Sequence, residues 1–238
     1  MLSFADSLAQ TVDAINAAWF SGQAISAAEA KKAAAMIASR YGQEGAYAGT
    51  FALFPSERKE GIRLFTGEKS VSASARHIVA QEACRALRIL KPKDSAACAA
   101  LTAAEESLAR CVGPAAPGGA RPDDGKQHWD WAYRGGTYCC GKCSVGFWRH
   151  LLLGGFDQVE KRLSRGLKCL RDSRKGQGQW QRFPFWYTIS ALVEMDPPAA
   201  REEMRYAAKT CEPFANRHSA NTFSQRRSEL ARRLLSRV

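Results

Sequence analysis

The chain has 238 residues, of which 45% are hydrophobic and 24% charged, a composition typical of a globular protein and not of a disordered one. No run of about 18 apolar residues occurs, which excludes a membrane-spanning helix at the level of sequence. The formal net charge is +12, and the segment from Lys161 to Arg182 holds eight basic residues and one acidic residue. Because no secretory signal pattern begins the chain, we expect a cytoplasmic protein whose eight cysteines are reduced.

Helix-favouring residues dominate the chain, and alternating β-branched runs are almost absent, so the sequence predicts an all-α protein. Ser26 and Glu29 form a capping-box pattern that starts the second predicted helix, and Asp94 is placed to cap the fourth. In chain order, the predicted helices are 3–20, 26–41, 71–91, 95–112, 138–154, 157–171, 183–194, 197–212 and 223–237.

Two segments interrupt this series of helices. Residues 42–70 are rich in glycine and predict an ordered loop with room for a short hairpin. Residues 113–125 contain seven Gly or Pro residues and predict a flexible linker. We therefore expect one helical domain over residues 1–238, with this linker between its two helical halves.

The second half of the chain contains a weak internal repeat. Phe147 starts the segment FWRHLLLGGFDQVEKRLSRGL, and Phe185, 38 residues later, starts FWYTISALVEMDPPAAREEMRYA. Each copy predicts an apolar helix, a tight connection and an amphipathic helix, the pattern of stacked α-hairpins. The expected architecture is paired antiparallel helices, arranged as an α/α-toroid-like ring or as an open helical stack.

One copy of the repeat carries a family resemblance. The segment GQGQWQRFPFWYTISALVEMD places Gln, Gly and Trp before a helix that begins with aromatic residues, at Gln177, Gly178, Trp180, Phe185, Tyr187 and Thr188. Because of these residues, the segment 135–212 resembles the repeats of α/α-toroid proteins, a group that includes the terpenoid cyclases and the protein prenyltransferases. The resemblance implies paired helices around a centre and a prenyltransferase-like pocket for an apolar ligand. It implies no catalytic residue, because the aspartate-rich motifs of those families are absent from this sequence.

The most specific local motif is Tyr138-Cys139-Cys140-Gly141-Lys142-Cys143, in which Cys140 and Cys143 form a CxxC pair at a predicted helix start. Three interpretations remain open: a redox pair, a metal knuckle that supplies two of four zinc ligands, or a structural contact between small side chains. A second CxxC is absent, and His150 lies about 10 Å further along the helix. We therefore expect no metal site, no cofactor and a fold that forms without either.

A polar stripe crosses the helix predicted at 71–91, where His77 and Gln81 share a face with Glu82 beside them. In a helical ring this stripe would face a central pocket, with His77 as a general base. Alternatively, His77 forms hydrogen bonds within a helix interface. Together with the motif above, the candidate catalytic residues are His77, Glu82, Cys140, Cys143 and His150.

Aromatic residues cluster at the starts of two predicted helices in the second half of the chain. They either line an apolar cavity or form part of the core. The candidate ligand-pocket residues are Phe147, Trp148, Arg149, Phe185, Trp186, Tyr187 and Thr188.

Two functions therefore stay open at the level of sequence. The first is a helical-repeat protein, an enzyme or a binding protein, whose aromatic and thiol-containing pocket takes an apolar small molecule. The second is a basic helical module that binds nucleic acid or an acidic partner protein. The candidate polyanion-binding residues are Arg165, Lys168, Arg226 and Arg233.

Overall fold

A computed structural model describes residues 6–113 and 135–238, and this part of the chain is helical apart from one small hairpin, which confirms the all-α prediction. The helices are α1 (Leu8–Ser21), α2 (Ala27–Ser39), α3 (Pro55–Glu60), α4 (Ser72–Leu90), α5 (Ser95–Val112), α6 (Gly141–Leu151), α7 (Val159–Asp172), α8 (Phe185–Leu192), α9 (Pro198–Ala215) and α10 (Thr222–Leu235). The hairpin pairs β1 (Ile62–Arg63) with β2 (Lys69–Ser70) in antiparallel register, Ile62 opposite Ser70.

The segment 42–70 contains more regular secondary structure than the predicted ordered loop. It holds the hairpin, a short 3-10 helix at Tyr47–Gly49, and helix α3, which the sequence analysis did not predict. Helix α3 has six residues, too few to show a helical period in the sequence. Its Glu57 carboxylate accepts hydrogen bonds from the backbone N–H of Phe54 and from the Ser7 hydroxyl, so it ties the start of α3 to the start of α1.

Predicted capping residues account for two helix starts. The Ser26 and Glu29 side chains form the expected capping box at α2, and the Asp94 carboxylate accepts a hydrogen bond from the N–H of Ala97 at α5. The linker predicted at 113–125 lies outside the described residues, except for Gly113.

The chain divides into two compact units, and the division falls inside α6, after Trp148. The first unit contains Met1–Phe65, Lys69–Cys111 and Arg149–Phe156. In it, α4 packs against α1, α2 and α3. Fully buried apolar side chains form its core, among them Ile15, Ile37, Ile78 and Leu87.

The second unit contains Thr66–Glu68, Val112–Trp148 and Asp157–Val238. Here α9 is the central helix and packs against α7, α8 and α10. Its buried face carries Met204, and Leu192 and Leu230 are fully buried on α8 and α10. The expectation of one helical domain over residues 1–238 stays a prediction.

The segment that carries the toroid resemblance lies along α9. Gly178 has a φ of +69°, and a Cβ atom there would lie 2.9 Å from the Tyr206 carbonyl oxygen, so this close approach requires glycine. The Trp180 indole N–H donates a hydrogen bond to the buried Glu203 carboxylate at 2.8 Å. These contacts give the Gly and Trp of the resemblance a structural role in the second unit.

Across the described helices, none combines the length and the apolar character that crossing a membrane would require.

Candidate functional site

Three cysteine side chains meet at the start of α6, in the second unit. Cys140 immediately precedes the helix, and Cys143 is its third residue. The Sγ atoms of Cys140 and Cys143 are 3.4 Å apart, and those of Cys139 and Cys143 lie within 4.8 Å of each other. None of these three cysteines is in a disulfide bond: Cys143 is buried, Cys140 is half-buried and Cys139 is exposed. The structure therefore brings together two of the predicted catalytic residues and adds a third thiol.

The backbone at Cys139 explains how two adjacent cysteines share one site, because neighbouring side chains in an extended chain point in opposite directions. Cys139 has a φ of +54°, in the left-handed region, which turns the chain at this residue. A non-glycine residue adopts this region at a cost of about 1–2 kcal/mol. The Ser144 hydroxyl holds the turn by accepting a hydrogen bond from the N–H of Tyr138 and donating one to its carbonyl oxygen.

Glycine is required between the cysteines of the CxxC motif. Gly141 is the first residue of α6, and a Cβ atom on it would lie 2.7 Å from the carbonyl carbon of Arg182. Backbone atoms cannot yield as a flexible side chain does, so any larger residue would displace either the helix start or the 182–183 segment. The position of both CxxC sulfurs therefore depends on this close backbone contact.

Hydrogen bonds separate the pKa values of the three thiols. The pKa of Cys140 is lowered to about 2 by hydrogen bonds with the Cys139 and Cys143 thiols and with the backbone N–H groups of Cys143 and Lys142. Hydrogen bonds to Cys139 and Cys140, followed by burial, raise the pKa of Cys143. The hydrogen bond to Cys140 raises the pKa of Cys139. These directions favour ionisation of Cys140 before its two neighbours.

This arrangement suits two kinds of chemistry. A thiolate beside a second thiol can attack an external disulfide and then be resolved by its neighbour. Alternatively, the thiolates of Cys139, Cys140 and Cys143 could supply three ligands to a soft metal ion.

A second polar cluster is buried in the first unit. The Arg149 guanidinium donates to Glu82 Oε1 at 2.8 Å and to Asn16 Oδ1 at 3.0 Å. The Asn16 amide donates to the other Glu82 oxygen at 3.0 Å. Arg85 donates to Asn16 Oδ1 at 2.8 Å and to the carbonyl oxygen of Arg149. The candidate residues Glu82 and Arg149 are thus direct partners, and their hydrogen bonds join α1, α4 and the end of α6.

His150 continues this polar region within the same unit. Its Nδ1 atom lies 2.7 Å from Gln81 Oε1, and its Nε2 atom lies 3.0 Å from a Glu105 carboxylate oxygen. Burial lowers the pKa of His150. Burial raises the pKa of Glu105, but hydrogen bonds from His150 and Arg88 outweigh it and lower the pKa overall. These directions favour a neutral His150 beside an ionised Glu105.

A neutral His150 carries a proton on only one ring nitrogen. Its two hydrogen bonds determine which nitrogen holds that proton and how the Gln81 amide is oriented. The imidazole donates its Nε2 proton to Glu105, so its Nδ1 atom must accept a hydrogen bond. The Gln81 amide can provide that donor by turning its Nε2 atom to the ring, because this atom has no hydrogen-bond partner among the described residues. Both ring nitrogens of His150 are then engaged in interactions that stabilise the fold, which favours a positioning role over proton transfer.

His77, the fifth candidate catalytic residue, lies in the first unit. It is half-buried on α4, and its ring centroid is 4.0 Å from that of Tyr47. This is a ring contact with the 3-10 helix, and both interpretations of His77 stay predictions.

Several candidate pocket residues of the second unit pack on neighbouring rings. The Trp148 indole N–H donates to the Gly136 carbonyl oxygen at 2.7 Å, and its ring stacks on Phe183 with centroids 5.5 Å apart. Trp186 makes edge-to-face contacts with Phe185 and Phe214 at 5.0 and 4.8 Å. These contacts favour the core interpretation, and a ligand pocket stays a prediction.

The remaining pocket candidates are also engaged. The ring centroid of Phe147 lies 6.5 Å from that of Tyr138. The Tyr187 backbone N–H donates to Glu68 at 3.2 Å, and the Thr188 hydroxyl donates to the carbonyl oxygen of Pro184.

Two of the four candidate polyanion-binding residues form ion pairs within their own helices. The Lys168 ammonium lies 2.9 Å from Asp172 in α7, and the Arg233 guanidinium lies 2.8 Å from Glu229 in α10. The Asp172 and Glu229 carboxylates therefore offset part of the positive charge of α7 and α10.

Arg165 is half-buried, and the guanidinium of Arg226 lies 5.7 Å from the centroid of the Phe223 ring. A different basic stripe is exposed on α9, at Arg201, Arg205 and Lys209. Within the described residues these three cations form no ion pair. The sequence analysis missed them because it weighed charge density, whereas the signal was their regular spacing of four residues.

Comparisons with models of known protein families, with curated proteins and with solved structures found no match to this chain. The resemblance to α/α-toroid repeats therefore stays an expectation.

Proposed function

We propose that the protein exchanges thiols and disulfides through Cys140 and Cys143. The observation that carries this proposal is the 3.4 Å separation of their Sγ atoms at the N-terminus of α6. Helix N-termini favour negative charge, so this position stabilises a reactive thiolate. Cys140 is the more accessible of the two and acts as the nucleophile, whereas the buried Cys143 resolves the intermediate.

The reaction oxidises the cysteine pair and reduces an external disulfide. The Cys140 thiolate attacks one sulfur of that disulfide, a mixed disulfide forms, and the other sulfur leaves as a thiolate. Cys143 then loses its proton and attacks the Cys140 sulfur, which releases the second external thiol. In total, the Cys140 thiolate and the Cys143 thiol give up two electrons and one proton, and the external disulfide becomes two thiols by taking its second proton from the solvent.

The geometry requires only a small movement for this closure. A disulfide bond is about 2.05 Å long, so the two sulfurs must approach by roughly 1.4 Å. Side chains three residues apart on a helix lie on the same face, and rotation of the two side chains can supply this movement.

The test is incubation of the reduced protein with oxidised glutathione, followed by mapping of disulfides by mass spectrometry. We expect the unaltered protein to form the Cys140–Cys143 disulfide. The Cys139→Ser/Cys143→Ser variant should stall as a glutathione adduct on Cys140, because it has no neighbouring thiol left to resolve the adduct. Cys98→Ser, which removes an exposed thiol of α5, is the matched control and should behave as the unaltered protein. Glutathione found mainly on Cys98 or Cys111, with no Cys140–Cys143 bond, would contradict the proposal.

A second candidate function, polyanion binding, is favoured by the stripe on α9. Its cations, Arg201, Arg205 and Lys209, repeat every four residues, which is about 6 Å along a helix. Among the described residues these cations form no ion pair, so their charge stays available for phosphate groups, whereas Lys168 and Arg233 share theirs with carboxylates. We propose the backbone of duplex nucleic acid as the ligand class for this stripe.

Salt dependence tests this second function. In the variant with Arg201, Arg205 and Lys209 all replaced by glutamine, the slope of log K against log salt concentration should fall by about 2–3, because each phosphate contact contributes about 0.9. A Lys168→Gln/Arg233→Gln variant is the control and should change the slope by less than about 1. Equal losses in the two variants would refute a role specific to α9.

A further inference from the structure

The exchange reaction uses two sulfur atoms, yet the structure holds a third beside them. Cys139 is kept there by a left-handed backbone conformation that non-glycine residues rarely adopt. The exchange between Cys140 and Cys143 assigns no part to the Cys139 sulfur. The third sulfur therefore points to a role that disulfide exchange does not explain.

We propose that the reduced cluster binds one soft d¹⁰ cation, Zn²⁺ or Cu⁺, through the sulfur atoms of Cys139, Cys140 and Cys143. This inference rests on the proposed thiol exchange, because it assigns a regulator to the same sulfurs. A bound cation would occupy the sulfur lone pairs and protect the pair from external disulfides.

The spacing of the sulfurs is close to that of a metal-thiolate site. A tetrahedral zinc ion with bonds of about 2.3 Å places its sulfur ligands about 3.8 Å apart. The Sγ atoms of Cys140 and Cys143 are 3.4 Å apart, and those of Cys139 and Cys143 lie within 4.8 Å. Small side-chain rotations would bring all three to a common ion.

The surroundings of the cluster suit thiolate ligands. The backbone N–H groups of Lys142 and Cys143 interact with the Cys140 sulfur, and such donors stabilise and orient the thiolates of metal sites. Thiolate ligands select soft ions over Mg²⁺ or Ca²⁺, which prefer oxygen. Three protein sulfurs leave the fourth position of a tetrahedral Zn²⁺ site for water or an external ligand.

Oxidation and metal binding exclude each other at this site. Formation of the Cys140–Cys143 bond removes two of the three thiolates, so a bound ion loses most of its ligands and dissociates. Conversely, an ion bound to the three sulfurs should slow the reaction of the pair with oxidised glutathione.

The test measures metal binding directly on the full, reduced chain. Separate arms titrate Zn²⁺ and Cu⁺ against a chromophoric chelator, and native mass spectrometry gives the stoichiometry. We expect one ion per chain in at least one arm. Cys139→Ser should weaken that affinity by at least about 10–100-fold, and Cys98→Ser should leave it unchanged. Circular dichroism checks that Cys139→Ser, at an exposed position, retains the fold.

The outcomes for the metal and for the exchange are separable. Disulfide formation at Cys140 and Cys143 without stoichiometric binding in either arm would overturn the metal site and leave the exchange intact. Stoichiometric binding that depends on Cys139, without disulfide exchange, would uphold the site and overturn the proposed function. Affinity unaffected by Cys139→Ser would overturn the three-sulfur site.

Discussion

Replacing Glu82 with alanine is expected to destabilise the first unit by about 3–5 kcal/mol, because it leaves a buried charge without its partner. The Glu82 carboxylate accepts hydrogen bonds from Arg149 and from Asn16, and all three side chains are buried. Without Glu82, the buried Arg149 guanidinium would lose this ion pair. The free energy of unfolding, measured by denaturant titration, is the readout.

Two further variants provide a control and an intermediate case for this measurement. Glu106→Ala removes an exposed carboxylate from α5 and should change stability by less than about 0.5 kcal/mol. Glu82→Gln keeps the shape and an acceptor oxygen but loses the charge, so its effect should fall between the two. A loss below about 1 kcal/mol for Glu82→Ala would mean that water or a rearranged side chain replaces the carboxylate.

Replacing Trp148 with alanine is expected to destabilise the second unit by about 3–5 kcal/mol, the usual cost of truncating a fully buried aromatic residue. Trp148 has no exposed surface, stacks on Phe183 and donates a hydrogen bond to Gly136. The truncation would therefore create a cavity and also leave a carbonyl oxygen without its donor. Denaturant titration again gives the free energy of unfolding.

This experiment separates the core and pocket interpretations of the aromatic residues. Trp19→Ala is the matched control, because the Trp19 side chain is 49% exposed and its loss should cost less than about 1 kcal/mol. If Trp148→Ala were equally mild, Trp148 would border a cavity that tolerates its loss, as a ligand pocket would.

The positions of most helices were predictable from the sequence because they depend on local signals. The helix predicted at 95–112 coincides with Ser95–Val112 of the structure, and the capping box of Ser26 and Glu29 starts α2 as expected. The closeness of Cys140 and Cys143 was also predictable, because a CxxC pair at a helix start places both side chains on one face. The place of Cys139 beside them was not, because it depends on the left-handed backbone conformation at that residue.

Only the tertiary structure revealed which charges are paired. Arg149 meets Glu82 across 67 residues and Asn16 across 133, and no local pattern encodes partners so distant in sequence. Charge density alone favoured Lys168 and Arg233, whereas the structure pairs both with carboxylates and leaves the α9 stripe exposed. Helix formation follows from periodicity and caps along the chain, but the partner of a buried charge depends on which helices pack together.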